Sequence, residues 1–414
     1  MAEKNPVPLF ALLGANAISM VGNSLAMIAI PWFVLQTTGS ASKTGLTAFF
    51  TALPAILAAF FGGALVDRLG YKSTSVIADI FSGIAVALVP LLYYTTGLAF
   101  WQLLALVFLG ALLDAPGGTA RLSLLPDVTR LAGMRLERAN AAAQAVQRGS
   151  SLLGAPLAGL MIALMGASRV LWVDAASFAV SALMVALMVP SHLARHERKA
   201  PGRYLDELKK GLEFMRGDRL LRAIVVTVMI TNFLDAPLFA VLMPVYTRQF
   251  FGSAVGLGLI IAGFGGGSML GTIIFGALGH RLPRRATFTG AFTVAGLGYW
   301  ILTSLPPLPV IVLVMTSVGL VVGPINPIIL TVMQERIPAD MRGRVFGTLT
   351  AGAYLAVPLG MVLAGYLVEW VGIRATLFAQ AACYLIITMS LLLNPALSEM
   401  EPPGEKGKGE MGKG

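Results

Sequence analysis

Residues 309–333, PVIVLVMTSVGLVVGPINPIILTVM, contain no charged side chain. A helix of about 20 apolar residues can cross the roughly 30 Å hydrocarbon core of a bilayer. Eleven further stretches of this kind fill most of the chain, so the sequence predicts a polytopic membrane protein. The twelve helices are expected at about 8–35, 45–66, 74–95, 100–122, 139–165, 169–190, 220–246, 253–278, 286–305, 309–333, 344–368 and 372–394.

The continuous apolar character of these stretches decides the fold class. Within lipid, backbone polar groups must bond inside the spanning structure, which leaves helices or a closed barrel. Barrel strands alternate apolar and polar residues, and these stretches do not. Hydrophobic residues make up 57% of the chain and charged residues 12%, against about 25% charged residues in average soluble domains. We therefore expect an all-α polytopic membrane protein.

Basic residues are distributed unequally between the two sets of loops that twelve helices define. One side carries about 26 of the 30 lysines and arginines, and lysine and arginine concentrate in cytoplasmic loops. The other side carries only Lys43, Arg169, Arg248 and Arg374. Both termini are therefore expected in the cytoplasm. The net charge of +10 reflects membrane topology rather than nucleic-acid binding.

The longest polar interval between helices divides the chain into two sets of six. We expect an N-terminal bundle at 1–190, a cytoplasmic linker at 191–219, a C-terminal bundle at 220–395 and a disordered low-complexity tail at 396–414. Within the linker, apolar and charged residues between Tyr204 and Met215 alternate with a helical period. This pattern predicts a short interfacial helix on the cytoplasmic surface.

The two halves also contain related loops. GGALVDRLGYK (Gly62–Lys72) lies between the second and third expected helices, and FGALGHRLPRR (Phe275–Arg285) lies between the eighth and ninth. Both follow a pattern of glycine, three residues, a polar residue, arginine and leucine. Parallel six-helix repeats build transporters whose substrate site lies near the membrane midplane between the halves.

The first of these loops resembles the Gly-x-x-x-Asp-Arg-x-Gly-basic-basic signature of the major facilitator superfamily. Tyr71 replaces the usual first basic residue. The six-plus-six layout and the weak second copy are similar to that superfamily over essentially the whole chain. The resemblance implies a twelve-helix secondary transporter in a bacterial inner membrane. The signature positions are Gly63, Asp67, Arg68, Gly70 and Lys72.

Further segments resemble the bacterial drug-antiporter branch, which includes macrolide-efflux proteins and the enterobactin exporter. The branch implies export of amphipathic or drug-like molecules in exchange for protons. These segments are SMVGNSLAMIAIPWFVLQTTGS in the first helix, LLPD after the fourth, ERANA at the start of the fifth and VDAASF in the sixth.

By the same resemblance, the signature loop is expected to latch the two halves together on the cytoplasmic side. Asp67 would meet Arg121 and the positive N-terminus of the eleventh helix near Arg344. Alternatively, Asp67 and Arg68 only mark the cytoplasmic boundary. In the second copy His280 occupies the acidic position, which suggests a weaker or pH-sensitive contact there.

An ionisable side chain inside the bilayer is costly and therefore suggests a function. Asp235 lies near the middle of the seventh helix, with Asn232 on the same face and Pro237 loosening the helix just beyond it. A desolvated carboxylate can take up and release protons at physiological pH. Asp235 is the first candidate for the coupling proton.

Three other aspartates lie within apolar stretches. Asp114 is the second coupling candidate, although it could equally be a structural ion-pair partner of Arg121, seven residues on. Asp174 is kept as a third candidate, while a water-accessible or helix-packing role is favoured for it. Asp79, near the cytoplasmic end of the third helix, is expected to be structural.

Neutral polar residues inside the helices are candidates for contacting substrate. Asn16 and Asn23 are seven apart and share one face of the first helix, which the resemblance places along the cavity. Hydrogen bonds between helices are an equally good explanation for any of these side chains. The remaining candidates are Gln144, Gln147, Asn232, Asn326 and Tyr354.

Glycine-rich segments indicate close helix packing. GSSLLGAPLAGLM (Gly149–Met161) resembles the glycine-proline motif that antiporters place in the fifth helix, although Ala155 interrupts the usual pair. The resemblance implies packing against the eighth helix, which contains GFGGGSMLG (Gly263–Gly271), to seal the cavity. The expected packing residues are Gly154, Pro156, Gly159, Gly267 and Gly271.

The sequence therefore predicts a secondary active exporter of amphipathic or drug-like molecules, using proton antiport and alternating access. Dedicated export of a metabolite or siderophore remains an alternative, as does an uncoupled facilitator or lipid flippase. No ATP-binding loop, HExxH or GxSxG motif is present, so neither an ATP-driven pump nor an enzyme is expected. The expected partners are a small-molecule substrate, protons and the lipid bilayer, with no cofactor, metal or nucleic acid, and the protein is expected to be a monomer.

Overall fold

The computed structural model describes residues 4–191, 204–338 and 341–401. Within these ranges it does not describe the side chains of residues 59–68, 204–208, 210, 280, 343 and 344. The described chain is almost entirely helical and contains no β-strand. The all-α prediction is therefore confirmed.

The first six spans are single helices joined by short turns. Gly70 has a φ of +79°, a conformation that a side chain would strain, and it forms the turn between the second and third helices. The helices are α1 (Val7–Thr38), α2 (Ala41–Leu69), α3 (Tyr71–Thr95), α4 (Phe100–Ala132), α5 (Leu136–Met165) and α6 (Ala167–Met188).

The second half is more broken. A π-helical turn (Leu238–Leu242) and two 3₁₀ turns (Gly279–Arg281 and Pro395–Met400) interrupt or follow its helices. The α-helices are α7 (Tyr204–Gly217), α8 (Arg219–Pro237), α9 (Met243–Phe250), α10 (Ala254–Leu278), α11 (Arg284–Leu302), α12 (Leu308–Val322), α13 (Ile325–Arg336), α14 (Arg342–Leu355) and α15 (Val357–Leu393).

These pieces combine into the expected spans. Helix α8, the π turn and α9 form one span, and α12 with α13 form another. Among the described residues, ten helical runs are long and apolar enough to cross a membrane. The last run, Val345–Leu393, contains a non-helical Gly372 with a φ of +85°, where the chain reverses, so it contributes two spans. The 19-residue α11 completes the set of twelve.

Helix ends differ from the apolar stretches in a systematic way. Helix α4 runs to Ala132, although its apolar stretch ends near residue 122. Its additional turns carry Asp127 and Arg130, which suit the headgroup region and the cytoplasm. Apolarity therefore marks the part of each helix that lies in hydrocarbon, while backbone hydrogen bonding continues beyond it.

The chain forms two compact units. The first comprises Met1–Pro201, Leu238–Leu259 and Met361–Tyr366, and the second comprises Gly202–Pro237, Ile260–Gly360 and Leu367–Gly414. Contacts thus group two short pieces of the second half with the first six helices. Part of the core of the first unit consists of fully buried Leu9 and Leu12 of α1 against Leu124 and Val128 of α4 and Val185 of α6.

Candidate functional site

The first unit contains a buried charge cluster centred on Arg121 of α4. Arg121 Nη1 donates to Asp79 Oδ1 of α3 at 2.6 Å, and the two side chains are 3% and 0% exposed. Ser181 of α6 donates to the other oxygen, Asp79 Oδ2, at 2.6 Å. A methyl group at Gly117 would lie 2.8 Å from Ala78, so a glycine there lets α4 approach α3 closely. Asp79 is therefore fully paired, in agreement with a structural role.

The remaining donors of Arg121 reach α1. Its Nε donates to Asn16 Oδ1 at 3.3 Å, and its Nη2 donates to Ser19 Oγ at 3.3 Å. Asn16 thus serves a hydrogen bond between helices. The latch expected between Arg121 and the signature loop falls outside the described residues. These residues exclude the side chains of Asp67, Arg68 and Arg344 and the surroundings of Gly63.

Asp114 lies next to this cluster on α4. Asn23 of α1 donates its Nδ2 to Asp114 Oδ2 at 2.9 Å. Arg121 Nη2 is 3.8 Å from Asp114 Oδ1, and the Asp114 side chain is 26% exposed. The shorter contact of Asp114 is therefore with the Asn23 amide. The Arg121 guanidinium lies closer to Asp79, at 2.6 Å, than to Asp114, at 3.8 Å.

Asp174 of α6 is almost completely buried, with 1% of its surface exposed. Its nearest neighbour on α1 is Gly22, where an added methyl group would lie 2.5 Å from Asp174 Oδ1. Ser177 Oγ lies 3.5 Å from the same oxygen. Asp174 therefore lies at a close contact between α6 and α1. Within the described residues Asp174 Oδ2 has no hydrogen-bond partner.

The second unit contains a different carboxylate site, at Asp235 on α8. The hydroxyl of Tyr299 on α11 donates to Asp235 Oδ1 at 2.9 Å, and the hydroxyl of Tyr384 on α15 donates to the same oxygen. The two rings meet edge to face, with centroids 4.6 Å apart. No arginine or lysine in the described part of the chain forms an ion pair with Asp235.

Neighbouring residues connect α8 to other helices. Asn232 donates to the backbone carbonyl of Ala353 on α14 at 3.1 Å, and Gln380 on α15 donates to the carbonyl of Leu234 at 3.0 Å. Asn232 is therefore used for helix packing. Pro237 lacks a backbone N–H and is followed directly by the π turn, a local irregularity of the kind that proteins often place at functional sites.

The other cavity candidates do not meet these clusters. Gln144 and Gln147 are exposed on α5, Asn326 is exposed on α13, and Tyr354 is 56% exposed on α14. Each lies on the surface of its own unit. Of the signature residues with described side chains, Lys72 donates its Nζ to Ser191 Oγ at 3.2 Å.

Glycines bring particular helices into backbone contact within the first unit. A methyl group at Gly159 of α5 would lie 2.6 Å from the carbonyl oxygen of Ala254 on α10. In return, a methyl group at Gly258 of α10 would lie 2.7 Å from the carbonyl oxygen of Ala155 and 3.3 Å from Cα of Pro156. Gly154 packs instead against Ser24 of α1.

The glycine run on α10 packs differently from the expectation. Gly267 faces the backbone of Thr316, and Gly271 faces the backbone of Leu320, both on α12. These two glycines therefore serve packing within the second unit, and Gly258, which was not among the sequence candidates, is the residue that contacts α5. The sequence could not distinguish these roles, because glycines at helical spacing can face any neighbour.

The two tyrosines and two serines that complete the carboxylate sites were also missed. A tyrosine within an apolar span needs a partner for its hydroxyl, which is a usable signal for Tyr299 and Tyr384. Identifying that partner requires the packing of three helices. Ser19 and Ser181 give no comparable signal, since a serine in a helix can bond its own backbone.

Twelve spans in two sets of six, with carboxylates and one arginine buried among them, define a polytopic membrane transporter. The chain belongs to the major facilitator superfamily, whose family model matches residues 12–255 and 225–413. It is similar to the multidrug efflux pump Tap of Mycobacterium tuberculosis (strain ATCC 25618 / H37Rv), with 36% identity over 97% of this chain and 96% of that protein.

Other proteins extend the comparison. Macrolide efflux protein A of Streptococcus pyogenes is 22% identical over 88% of this chain and 90% of its own. The crystal structure of the nucleoside transporter NupG matches with a TM-score of 0.77 at 10% identity, covering 93% of this chain and 98% of that one. The structural likeness shows the fold alone. The resemblance recognised in the sequence is confirmed, and the chain is a multi-pass membrane transporter rather than an enzyme.

Proposed function

We propose that this protein exports amphipathic or drug-like small molecules across the bacterial inner membrane in exchange for protons, by alternating access. The relatives named as multidrug and macrolide efflux proteins support the direction of transport and the class of substrate. The observation that carries the coupling is the carboxylate of Asp235, which two tyrosine hydroxyls hold and no cation neutralises within the described chain.

Asp235 has the properties that a proton-binding group needs. Burial opposes the charge of a carboxylate, while two donated hydrogen bonds stabilise it. Both hydroxyls converge on Oδ1 of Asp235. Because α8, α11 and α15 all contribute, movement of any one of these helices changes how well the charged form is stabilised.

The signature loop is proposed to act as the cytoplasmic latch, as expected from the family. Gly70 makes the turn and Lys72 lies at the cytoplasmic end of the first unit. We place both termini in the cytoplasm on the basis of the loop charges, and the protein acts as a monomer.

The test is extrusion of ethidium from cells that produce the protein, with and without a protonophore. Asp235→Asn keeps the shape of the side chain and removes its charge. Glu137→Gln is the matched control, because it neutralises a carboxylate that is 74% exposed at a helix end. Membrane levels of each variant are measured by immunoblotting.

The proposal expects protonophore-sensitive extrusion in wild type and in Glu137→Gln, and loss of extrusion in Asp235→Asn. Extrusion that survives in Asp235→Asn would remove Asp235 from the coupling role. Extrusion insensitive to the protonophore would favour an uncoupled facilitator. Absence of extrusion by folded wild type would favour a dedicated metabolite exporter.

A further inference from the structure

The buried charges of the first unit do not balance. Three carboxylates, on Asp79, Asp114 and Asp174, lie within its spans, and Arg121 is the cation that pairs with them in the described chain. Asp79 holds Arg121 at 2.6 Å, while Asp114 is 3.8 Å from it. One guanidinium cannot neutralise three carboxylates, so this unit must bind protons or another cation.

Asp174 is the carboxylate of these three that forms no ion pair in the described part of the chain. Helix α1 presents Gly22 to it, and α3 presents Gly83 to the neighbouring residues Ala175 and Phe178. Asp79, the carboxylate of α3, is already paired with Arg121. Asp114 contacts the next residue of α1, since Asn23 donates its Nδ2 to Asp114 Oδ2 at 2.9 Å while Gly22 faces Asp174. A negative charge on one of two neighbouring carboxylates disfavours a charge on the other.

The immediate surroundings of Asp174 fit a proton better than a metal ion. Hard cations take about six oxygen ligands. Among the described residues, the hydrogen-bond partner of the Asp174 carboxylate is the hydroxyl of Ser177, at 3.5 Å from Oδ1. Asp174 Oδ2 is buried and has no hydrogen-bond partner among the described residues. A proton can bind this oxygen without any further ligand, whereas a metal ion cannot.

We propose that Asp174, coupled to Asp114, is a second proton-binding site, separate from Asp235, and that each transport cycle exchanges two protons for one substrate molecule. Asp114 is 26% exposed whereas Asp174 is almost completely buried, so solvent protons reach Asp114 more readily than Asp174. This inference rests on the proposed proton-coupled export.

The test measures the number of protons moved per ethidium molecule in proteoliposomes, from the membrane potential and pH gradient that just stop ethidium flux. Wild type is compared with Asp174→Asn and with Ser177→Ala. The latter is the matched control, because Ser177 Oγ donates to the backbone carbonyl of Asp174 at 2.8 Å and carries no transferable charge.

We expect a ratio of two in wild type and in Ser177→Ala, and a ratio of one in Asp174→Asn, with transport retained. A ratio of two in Asp174→Asn, or of one in wild type, would overturn the second site and leave the proposed function standing. Ethidium flux that moves no protons would instead overturn the proposed function.

Infrared difference spectroscopy between acidic and alkaline buffer gives a readout that does not require transport. The component of the protonated carboxyl band that belongs to Asp174 should be present in wild type and missing in Asp174→Asn, while the component of Asp235 remains in both. If Asp174→Asn does not fold, the same spectra are recorded for Asp114→Asn instead. Removing the like charge should let the band of Asp174 disappear at a lower pH than in wild type, and an unchanged band would contradict the coupling.

Discussion

A single buried arginine organises the polar interior of the first unit. Arg121 of α4 contacts Asp79 on α3 and the side chains of Asn16 and Ser19 on α1, and Ser181 of α6 completes the partners of Asp79. Water is scarce at this depth, so each of these groups depends on the others for its hydrogen bonds. The network therefore defines how four helices are rotated relative to one another.

Replacing Arg121 alone should destabilise the protein far more than replacing both Arg121 and Asp79. Arg121→Gln leaves the Asp79 carboxylate buried without a cation, and we expect a loss of about 3–5 kcal/mol in unfolding free energy. The double variant Arg121→Gln with Asp79→Asn should recover most of that loss, because no uncompensated charge remains. Thermal unfolding of the purified variants in detergent measures both effects.

A double variant as unstable as Arg121→Gln would show that the two side chains do not act as a pair. Arg130→Gln is the control, since Arg130 is also on α4 but is 82% exposed. Its ion pair with Asp127 is 3.8 Å long and at the surface, so it should contribute little.

At the scale of helices, glycine determines which pairs come into backbone contact. Gly267 and Gly271 of α10 face the backbone of α12, and Gly319 and Gly323 of α12 face the backbone of α10. Thr272 adds a hydrogen bond from its hydroxyl to the carbonyl of Gly323 at 3.0 Å. Small residues at such contacts give membrane helices van der Waals attraction that larger side chains would prevent.

Two glycines on α10 should therefore respond oppositely to the same substitution. A methyl group at Gly271 would overlap the carbonyl oxygen of Leu320, whereas one at Gly276 would meet nothing within 4 Å. We expect Gly271→Ala to destabilise the protein by about 1–3 kcal/mol. Gly276→Ala should be neutral or stabilising by up to about 1 kcal/mol. Thermal midpoints in detergent compare them, and equal midpoints would show that α10 and α12 are not in close contact.

A C-terminal clasp, defined here as Asp218, Arg336 and Glu399, joins three elements of the second unit. Arg336 donates to Asp218 Oδ2 at 2.7 Å and to Glu399 Oε2 at 2.6 Å. Leu397 and Met400, beside Glu399 in the 3₁₀ turn, are buried. Asp218 Oδ1 also accepts from the backbone N–H groups of Leu220 and Leu221, at the start of α8.

Acid should open this clasp. Burial alone would raise the pKa of Asp218, but the N–H of Leu221 and the Arg336 guanidinium outweigh it and hold the pKa below its ordinary value. A lowered pKa stabilises the fold above the ordinary aspartate value of about 4, and this stabilisation is lost as pH falls through the lowered pKa. Thermal midpoints of wild type should therefore fall below about pH 4.

Asp218→Asn tests this explanation. The variant should be less stable than wild type at neutral pH, and its midpoint should depend less on pH in the acidic range. Arg336 keeps its hydrogen bond to Glu399 Oε2 in the variant, so part of the clasp remains. Curves of wild type and variant that run parallel from neutral to acidic pH would assign the acid sensitivity to other carboxylates.

For the whole molecule, the charge asymmetry of the loops is the strongest argument for orientation. It follows from the cost of moving lysine and arginine across the membrane during insertion. The same asymmetry supports the number of spans, because one missing helix would exchange the sides of all later loops. Arg130 lies near the end of α4 and Arg169 near the start of α6, with α5 between them. Twelve spans therefore place these two arginines on opposite sides of the membrane.

Cysteine labelling can test this topology, because Cys383 is the one cysteine of the chain. Cys383 is exposed on α15 and is first replaced by alanine. In that background, Arg169→Cys should react with a membrane-impermeant maleimide in intact cells. Arg130→Cys should react only after the cells are permeabilised. The reverse pattern would invert the proposed orientation.

The fold could be predicted well because it depends on local apolarity. Lipid requires each span to be a continuous helix, so length and composition place it within a few residues. Interruptions were harder to foresee: the stretch 309–333 is broken into α12 and α13 at Gly323 and Pro324. Loss of one proline N–H can be compensated by neighbouring helices, and the sequence does not show where such compensation exists.

The candidate site could be predicted only in part. The place of Asp235 in an apolar stretch could be seen in the sequence, and the presence of an ionisable group there is a local property. Its partners Tyr299 and Tyr384 come from helices more than sixty residues away. Likewise, the choice of Asp79 over Asp114 as the close partner of Arg121 depends on how α3 approaches α4 at Gly117.

The sequence by itself determined the helical class, the twelve spans, the family and the set of buried carboxylates. These properties depend on the transfer of each segment between water and lipid, which its own residues decide. Only the tertiary structure decided that Arg121 pairs with Asp79, that two tyrosines donate to Asp235 and that no cation of the described chain pairs with Asp174. Such pairings depend on helix rotation and separation over a few ångströms, because hydrogen bonds and ion pairs require contact at about 3 Å.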